Sequence, residues 1–180
     1  MPETGIISLA KQISSPNFDL RPDQLFPEVL IIHAISLPPG TFGGNYIAQL
    51  FCNQLDPDGD ESFQEISSME VSAHVLIQRT GEMIQFVSLN NRAWHAGESE
   101  CEGRNRVNDF SIGIELEGCD QLPFTDNQYN QLADLTNAIF SEYPAINANR
   151  IYGHADISPG RKTDPGPHFD WPRYKALLGV

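Results

Sequence analysis

Positive charge is scarce in this sequence. Against 24 acidic side chains stand 11 lysines and arginines, for a formal net charge of −13. The lysines, Lys11, Lys162 and Lys175, are far apart in the chain. Binding to a polyanion is driven by counterion release at clustered basic groups, so no nucleic-acid partner is expected. An anionic membrane surface is disfavoured on the same ground. There is no run of about 18 apolar residues, so no membrane-spanning helix is expected either. Cysteine is sparse too. Cys52, Cys101 and Cys119 are odd in number and widely spaced, which fits neither a disulfide framework nor a CxxC knuckle. Idle thiols in a reducing cytosol are the simpler reading. The opening stretch MPETGIISLAKQISSPNF lacks a basic start followed by an apolar segment. A secretory signal is therefore not expected, and the location is expected to be cytoplasmic. The nucleophile elbow GxSxG, the P-loop and GxGxxG are absent. Asp56, Asp58 and Asp60 have the alternate spacing that opens a calcium loop. Glu61 stands where that loop needs Gly and Ser67 where it needs Glu, so a solvated loop is expected.

What remains is a globular composition, 40% apolar and 19% charged over 180 residues. It predicts one domain, residues 1–180, with its own core. Residues 1–28, rich in Pro, Asp and Ser, read as an extended arm over its surface. Val29-Leu30-Ile31-Ile32-His33 is an apolar run of strand length, and residues 46–51 could form a short helix. Residues 56–65 read as a polar loop. The runs 71–78 and 83–87 flank Thr80-Gly81 and predict a hairpin. In 110–117, Phe110, Ile112, Ile114 and Leu116 alternate with Ser111, Gly113, Glu115 and Glu117. One set faces a core, and the other leaves two small residues beside Glu115 on the opposite face. Residues 125–143 predict a helix opened by a Thr125/Gln128 capping box, with Tyr129, Leu132, Thr136, Ile139 and Phe140 on one face. A second helix starts after Asp170, tolerates Pro172 in its first turn and carries Tyr174, Leu177 and Leu178. Mixed strands and helices predict a sheet with helices packed on it.

The histidines are His33, His74, His95, His154 and His168. His33 ends a buried strand, where a polar side chain requires a partner. His154 lies in the turn-like Tyr152-Gly153-His154-Ala155-Asp156, with Lys162-Thr163-Asp164 following. Two imidazoles and a carboxylate leave a fourth position for water, the open arrangement of catalytic zinc. On spacing alone His33, His154 and Asp164 are one such set, and Asp156, His95 or His168 could replace a member.

Several segments together resemble the zinc N-acetylmuramoyl-L-alanine amidases, which share a fold with peptidoglycan-recognition proteins. They are Ser15 to Pro22, Ile31 to Gly44, Val71 to His74, Arg92 to Gly97, Asn108 to Gly118, Gly153-His154, Arg161 to Pro167 and Phe169 to Trp171. The resemblance covers nearly the whole chain in the same order. It implies an α/β (α+β mixed) fold, with a central mixed β-sheet flanked by α-helices and a zinc groove on one face. It also implies hydrolysis of the amide between 1,6-anhydro-N-acetylmuramic acid and L-alanine during cytoplasmic wall recycling. His33, His154 and Asp164 resemble the ligands of one zinc ion. Glu115 resembles the catalytic glutamate that shuttles a proton, and Lys162 the catalytic lysine. Arg106 resembles an arginine that pairs with a stem-peptide carboxylate, while Trp94 and His95 are expected to line or support the groove. His74 is expected to play a structural hydrogen-bonding role. The implied partner is an anhydro-muropeptide, and the chain is expected to be a monomer. The rival readings are a binding-only module and an amidase of intact wall.

Two positions depart from the family. Ala34 stands where the best-known members carry Asn, and Glu70 where some carry Arg. Both changes weaken contacts to the peptide, and Glu70 disfavours a third stem residue bearing a free carboxylate, which predicts an altered preference for stem-peptide charge. Amidated stems are expected to be cleaved faster than free-acid stems of the same sequence; equal rates would remove this reading.

Overall fold

The computed structural model describes residues 4–22 and 25–180. Its strands are β1 (Lys11–Gln12), β2 (Phe18–Asp19), β3 (Val29–Ile35), β4 (Val75–Ile77), β5 (Met83–Gln85), β6 (Arg92–Ala93), β7 (Glu100–Cys101), β8 (Arg104–Asn105), β9 (Ser111–Glu117) and β10 (Ile151–Gly153). Its helices are α1 (Tyr46–Phe51), α2 (Asp126–Glu142), α3 (His154–Ile157) and α4 (Trp171–Leu177). One sheet has the order β1-β5-β4-β9-β3-β10. β4, β9, β3 and β10 run parallel, and β5 is antiparallel to β4, so the sheet is mixed as expected.

A parallel sheet is covered on both faces, so its strands must be apolar on both. All of β9 is buried. Leu30 and Ile32 of β3, Ile112, Ile114 and Leu116 of β9, and Val75 and Ile77 of β4 share one core with Leu132, Leu135 and Ile139 of α2 and Tyr174 of α4. The two-residue period sends the alternate side chains to the other face. There Val29 and Ile31 pack with Val107, Phe110 and Ile157. Leu76 and Ile84 pack with Leu37, Leu50, Phe51 and Phe63. His33, Ser111, Gly113 and Glu115 belong to this second face by the same alternation.

α2 begins as the sequence predicts. Gln128 N–H donates to Thr125 Oγ1 at 3.2 Å, and Thr125 N–H donates to Gln128 Oε1 at 3.1 Å. Losing such an N-cap typically costs about 1 kcal/mol. The Gln128 amide also donates to Ile77 O and Glu117 O at 3.2 and 2.9 Å, tying the helix start to the ends of β4 and β9.

Several expectations are corrected. Phe110 precedes the strand, in a 3-10 turn over Val107–Phe110, and it packs on the face opposite Ile112. The turn puts it out of the strand's alternation. The hairpin strands, Val75–Ile77 and Met83–Gln85, are shorter than the runs that predicted them. The polar loop contains a 3-10 turn, Glu61–Phe63, that buries Phe63. Leu177 is exposed, and α3 was not foreseen. The arm does more than cover the surface: Ser15, Asn17 and Arg21 are buried. Residues 1–3 and 23–24 of that arm lie outside the described residues.

His74 plays a structural role. Its backbone N–H donates to Gly113 O at 3.1 Å, and Gly113 N–H donates back to its Nδ1 at 3.0 Å. With Nδ1 accepting, the ring proton is on Nε2, which donates to Asn91 O at 3.0 Å. Burial, helped by the nearby Arg21, pushes this imidazole down to about 3. In the unfolded chain the ring would take up its proton near pH ~6.5. Between those values the unfolded chain binds the extra proton, so stability falls as pH falls. His74→Gln removes that contribution. The wild-type advantage over H74Q in unfolding free energy should shrink by about 1.4 kcal/mol per pH unit between roughly pH 6 and pH 4. Urea titrations measure this, and a pH-independent difference would contradict a neutral buried ring.

Candidate active site

The parallel register sets His33 of β3 opposite Glu115 of β9. On the other edge of β3, β10 pairs Gly153 with Ile32 and then turns into α3, whose first residue is His154. Asp164 is brought back to the same place by its backbone: Ala155 N–H donates to Asp164 O at 2.9 Å. His33 Nδ1 lies 2.9 Å from His154 Nδ1 and 3.4 Å from Asp164 Oδ2, and His154 Nδ1 lies 3.1 Å from that same oxygen. One donor atom from each of the three residues falls within 4.8 Å of the others.

The chemistry of this set fits a divalent cation. His154 Nε2 is 3.2 Å from Ala96 O, and a carbonyl only accepts. The ring proton therefore sits on Nε2, and the Nδ1 lone pair faces His33 and Asp164. Crowding lone pairs and a carboxylate together is unfavourable for bare groups and favourable around a cation. Two imidazoles and one carboxylate suit zinc with an open position. The alternatives that spacing left open are resolved. Asp156 spends its carboxylate on Gly153 N–H at 2.7 Å, His168 is exposed and outside the cluster, and His95 stands behind His33.

Burial shapes the charges. It pushes His33 down to about 4, with Asp164 opposing. It also opposes ionisation of Asp164, yet the contacts with His154 and His33 hold that carboxyl below its ordinary range. Glu115 is only 9% exposed, and its Oε2 has no hydrogen-bond partner among the described residues. Burial and then the Asp164 charge push it well above the usual carboxylate range, while Lys162 pulls the other way.

A cavity of about 220 Å³ opens on these groups. Glu115, His154, Lys162 and Asp164 line it together with Trp94, His95 and an apolar wall that includes Leu37, Met69 and Val71. A wider cleft of about 710 Å³ beside Gln78, Met83 and Asn130 holds none of this chemistry. Lys162 is exposed at the cavity. Trp94 is half-buried and donates from Nε1 to Asp19 Oδ1 at 3.3 Å. Arg106 is not brought to the cavity wall: it is exposed, with Nε 3.1 Å from Asp109 Oδ2.

Ser111 and Gly113, the small residues beside Glu115, leave a space on this face of β9. His95 fills that space. A Cβ on Gly113 would lie 2.5 Å from His95 Cγ, so only glycine lets the ring rest on the strand. Sequence reasoning also missed the supports of this segment. Asn108 Oδ1 accepts from His95 N–H and Ala96 N–H at 3.1 and 2.8 Å. Arg21 donates to the carbonyls of Asn108, Asp109, Leu89 and Ser111. Arg161 donates to Ala96 O at 2.6 Å. No sequence signal marks a backbone carbonyl as the working group of an alanine. The Asn108–Gly118 motif did point to the right neighbourhood.

The sequence pattern of the family described as N-acetylmuramoyl-L-alanine amidase matches residues 23–167. The chain is 53% identical to the 1,6-anhydro-N-acetylmuramyl-L-alanine amidase AmpD of Salmonella typhimurium (strain SL1344), over 100% of this chain and 96% of that protein. The crystal structure of a Se-Met AmpD derivative superposes with a TM-score of 0.96 at 53% identity, covering 99% of each chain. A complex of the amidase AmiD from E. coli with anhydro-N-acetylmuramic acid-L-Ala-D-gamma-Glu-L-Lys has a TM-score of 0.63 at 30% identity, covering 86% of this chain and 58% of that one. Fold, donor set and sequence agree: this chain belongs to the N-acetylmuramoyl-L-alanine amidase family.

Proposed function

We propose that this amidase hydrolyses the bond between the lactyl group of 1,6-anhydro-N-acetylmuramic acid and the L-alanine of a stem peptide, acting on soluble wall fragments in the cytosol. It does so as a monomer with one zinc ion. Residues 1–180 act as one catalytic domain, with residues 1–28 as the arm packed on it. The observation that carries the reading is the facing set of His33 Nδ1, His154 Nδ1 and Asp164 Oδ2, two of whose residues line a cavity with Glu115, whose Oε2 has no hydrogen-bond partner among the described residues. The substrate is supported by the AmpD relatives, named as 1,6-anhydro-muramyl amidases, and by the muropeptide held in the AmiD structure. Three free cysteines accord with a reducing compartment.

His33, His154 and Asp164 would hold the zinc. Bound there, zinc supplies Lewis acidity and brings the ionisation of water toward neutral pH. Glu115 takes up the proton of the attacking water and returns it to the alanine nitrogen, which leaves only once protonated. Its burial suits the task, because a raised pKa lets one carboxyl act as base and then as acid. The Lys162 ammonium offsets the negative charge that develops on the carbonyl oxygen. Trp94 walls the groove. Arg106 exchanges its contact with Asp109 for a stem-peptide carboxylate, which its planar fork fits.

Mass spectrometry of an anhydro-muramyl tripeptide tests the reading. Peptide release is expected from the protein as purified, lost on chelation and restored with zinc. Failure of the zinc-loaded protein to cleave would overturn the proposal in favour of binding without cleavage or of intact wall as substrate. Glu115→Gln should slow release by about 10²–10⁴-fold. The same change should raise the melting temperature of the chelated protein, because it removes a buried carboxyl group whose Oε2 has no hydrogen-bond partner among the described residues. A lower melting temperature would show that Glu115 is stabilising rather than held in reserve.

A further inference from the structure

Both imidazoles of the donor set have their remote nitrogens held by two consecutive residues. His154 Nε2 meets the carbonyl of Ala96 at 3.2 Å. His33 Nε2 meets the ring of His95, at Nδ1, at 2.9 Å. The far side of that ring, Nε2, lies 3.0 Å from Ser111 Oγ. The segment is fixed as a unit, since one side-chain oxygen of Asn108 accepts from both of its backbone N–H groups. Gly113 provides the space in which the His95 ring lies.

This arrangement has one consistent proton order when His33 Nδ1 serves as a ligand. The His33 proton is then on Nε2 and is donated to His95 Nδ1. His95 in turn carries its proton on Nε2 and donates it to Ser111 Oγ. We infer that His95 is a positioning residue for the metal site: backed by Ser111, it fixes the tautomer and ring orientation of His33 so that Nδ1 faces the cation. This rests on the zinc reading of His33, His154 and Asp164. Partners of this kind typically govern about 10–100-fold in metal affinity.

The test compares zinc affinity, measured by competition with a chromophoric chelator, in the wild type, His95→Phe and His95→Asn. Phenylalanine keeps a ring and loses the acceptor, while asparagine can place an oxygen where Nδ1 stood. H95F is expected to bind zinc about 10–100-fold more weakly, with H95N recovering most of the loss. Affinity in H95F equal to wild type, or H95N as weak as H95F, overturns the inference and leaves the zinc reading standing. A wild type that binds no zinc overturns both. Nitrogen-15 NMR of the zinc-loaded wild type is an independent readout that does not depend on a variant folding. The proton of His33 is expected on Nε2, and finding it on Nδ1 overturns the inference.

Discussion

The requirement that every buried polar atom find a partner governs this molecule. The second face of the sheet holds imidazoles and carboxylates where apolar side chains would be the ordinary choice. Each is accounted for in turn. His74 spends its nitrogens on Gly113 and Asn91, His95 on His33 and Ser111, and the remote nitrogen of His154 on Ala96. After that accounting, donor atoms of His33, His154 and Asp164 remain turned toward one another, and Oε2 of Glu115 remains without a hydrogen-bond partner among the described residues. The reactive centre is what is left over when the structural needs have been met.

Keeping such a residue of unmet polarity costs stability, and the rest of the fold offsets it. The opposite face of the sheet packs a largely apolar core against α2 and α4, and its buried polar groups, such as Thr136 and Gln128, are hydrogen-bonded. Aromatic rings of Phe124, Tyr129, Phe169, Trp171 and Tyr174 contact one another beneath the C-terminal segment that delivers Asp164. On the other face, Arg21 contributes three carbonyl contacts to the backbone that carries Asn108 and Ser111 and a fourth to Leu89. Rigid apolar packing on one side thus permits electrostatic tension on the other.

The parts of this design that follow a period were legible in the sequence. The alternation in β9 identified Glu115 as pointing away from the main core, and the capping box located the start of α2 within a residue. The metal set was less legible. Spacing alone could not separate Asp156, His95 and His168 from the trio that the fold gathers, because the choice depends on strand register across residues far apart in the chain. Resemblance to a family supplied that register. What stayed hidden was carried by backbone atoms and by a missing side chain. Nothing in the letters says that the carbonyl of Ala96 orients a ligand, or that Gly113 is small so that His95 can lie on it. Phe110 was misplaced for a related reason: a 3-10 turn breaks the alternation without changing composition.

The arm's burial of Arg21 has a consequence for how the molecule comes into being. Arg21 reaches the carbonyl of Asn108 across 87 residues, and His33 reaches His154 across 121. Contacts so distant in sequence bear the cost of closing long loops before they contribute anything, which places them late in folding. During synthesis Arg21 emerges before the carbonyls it serves, and its full set is not present until residue 111 has followed. Asp164 follows both His33 and His154 in the chain. A growing chain therefore cannot gather the His33–His154–Asp164 cluster early, and products that stop short of residue 164 are left without it.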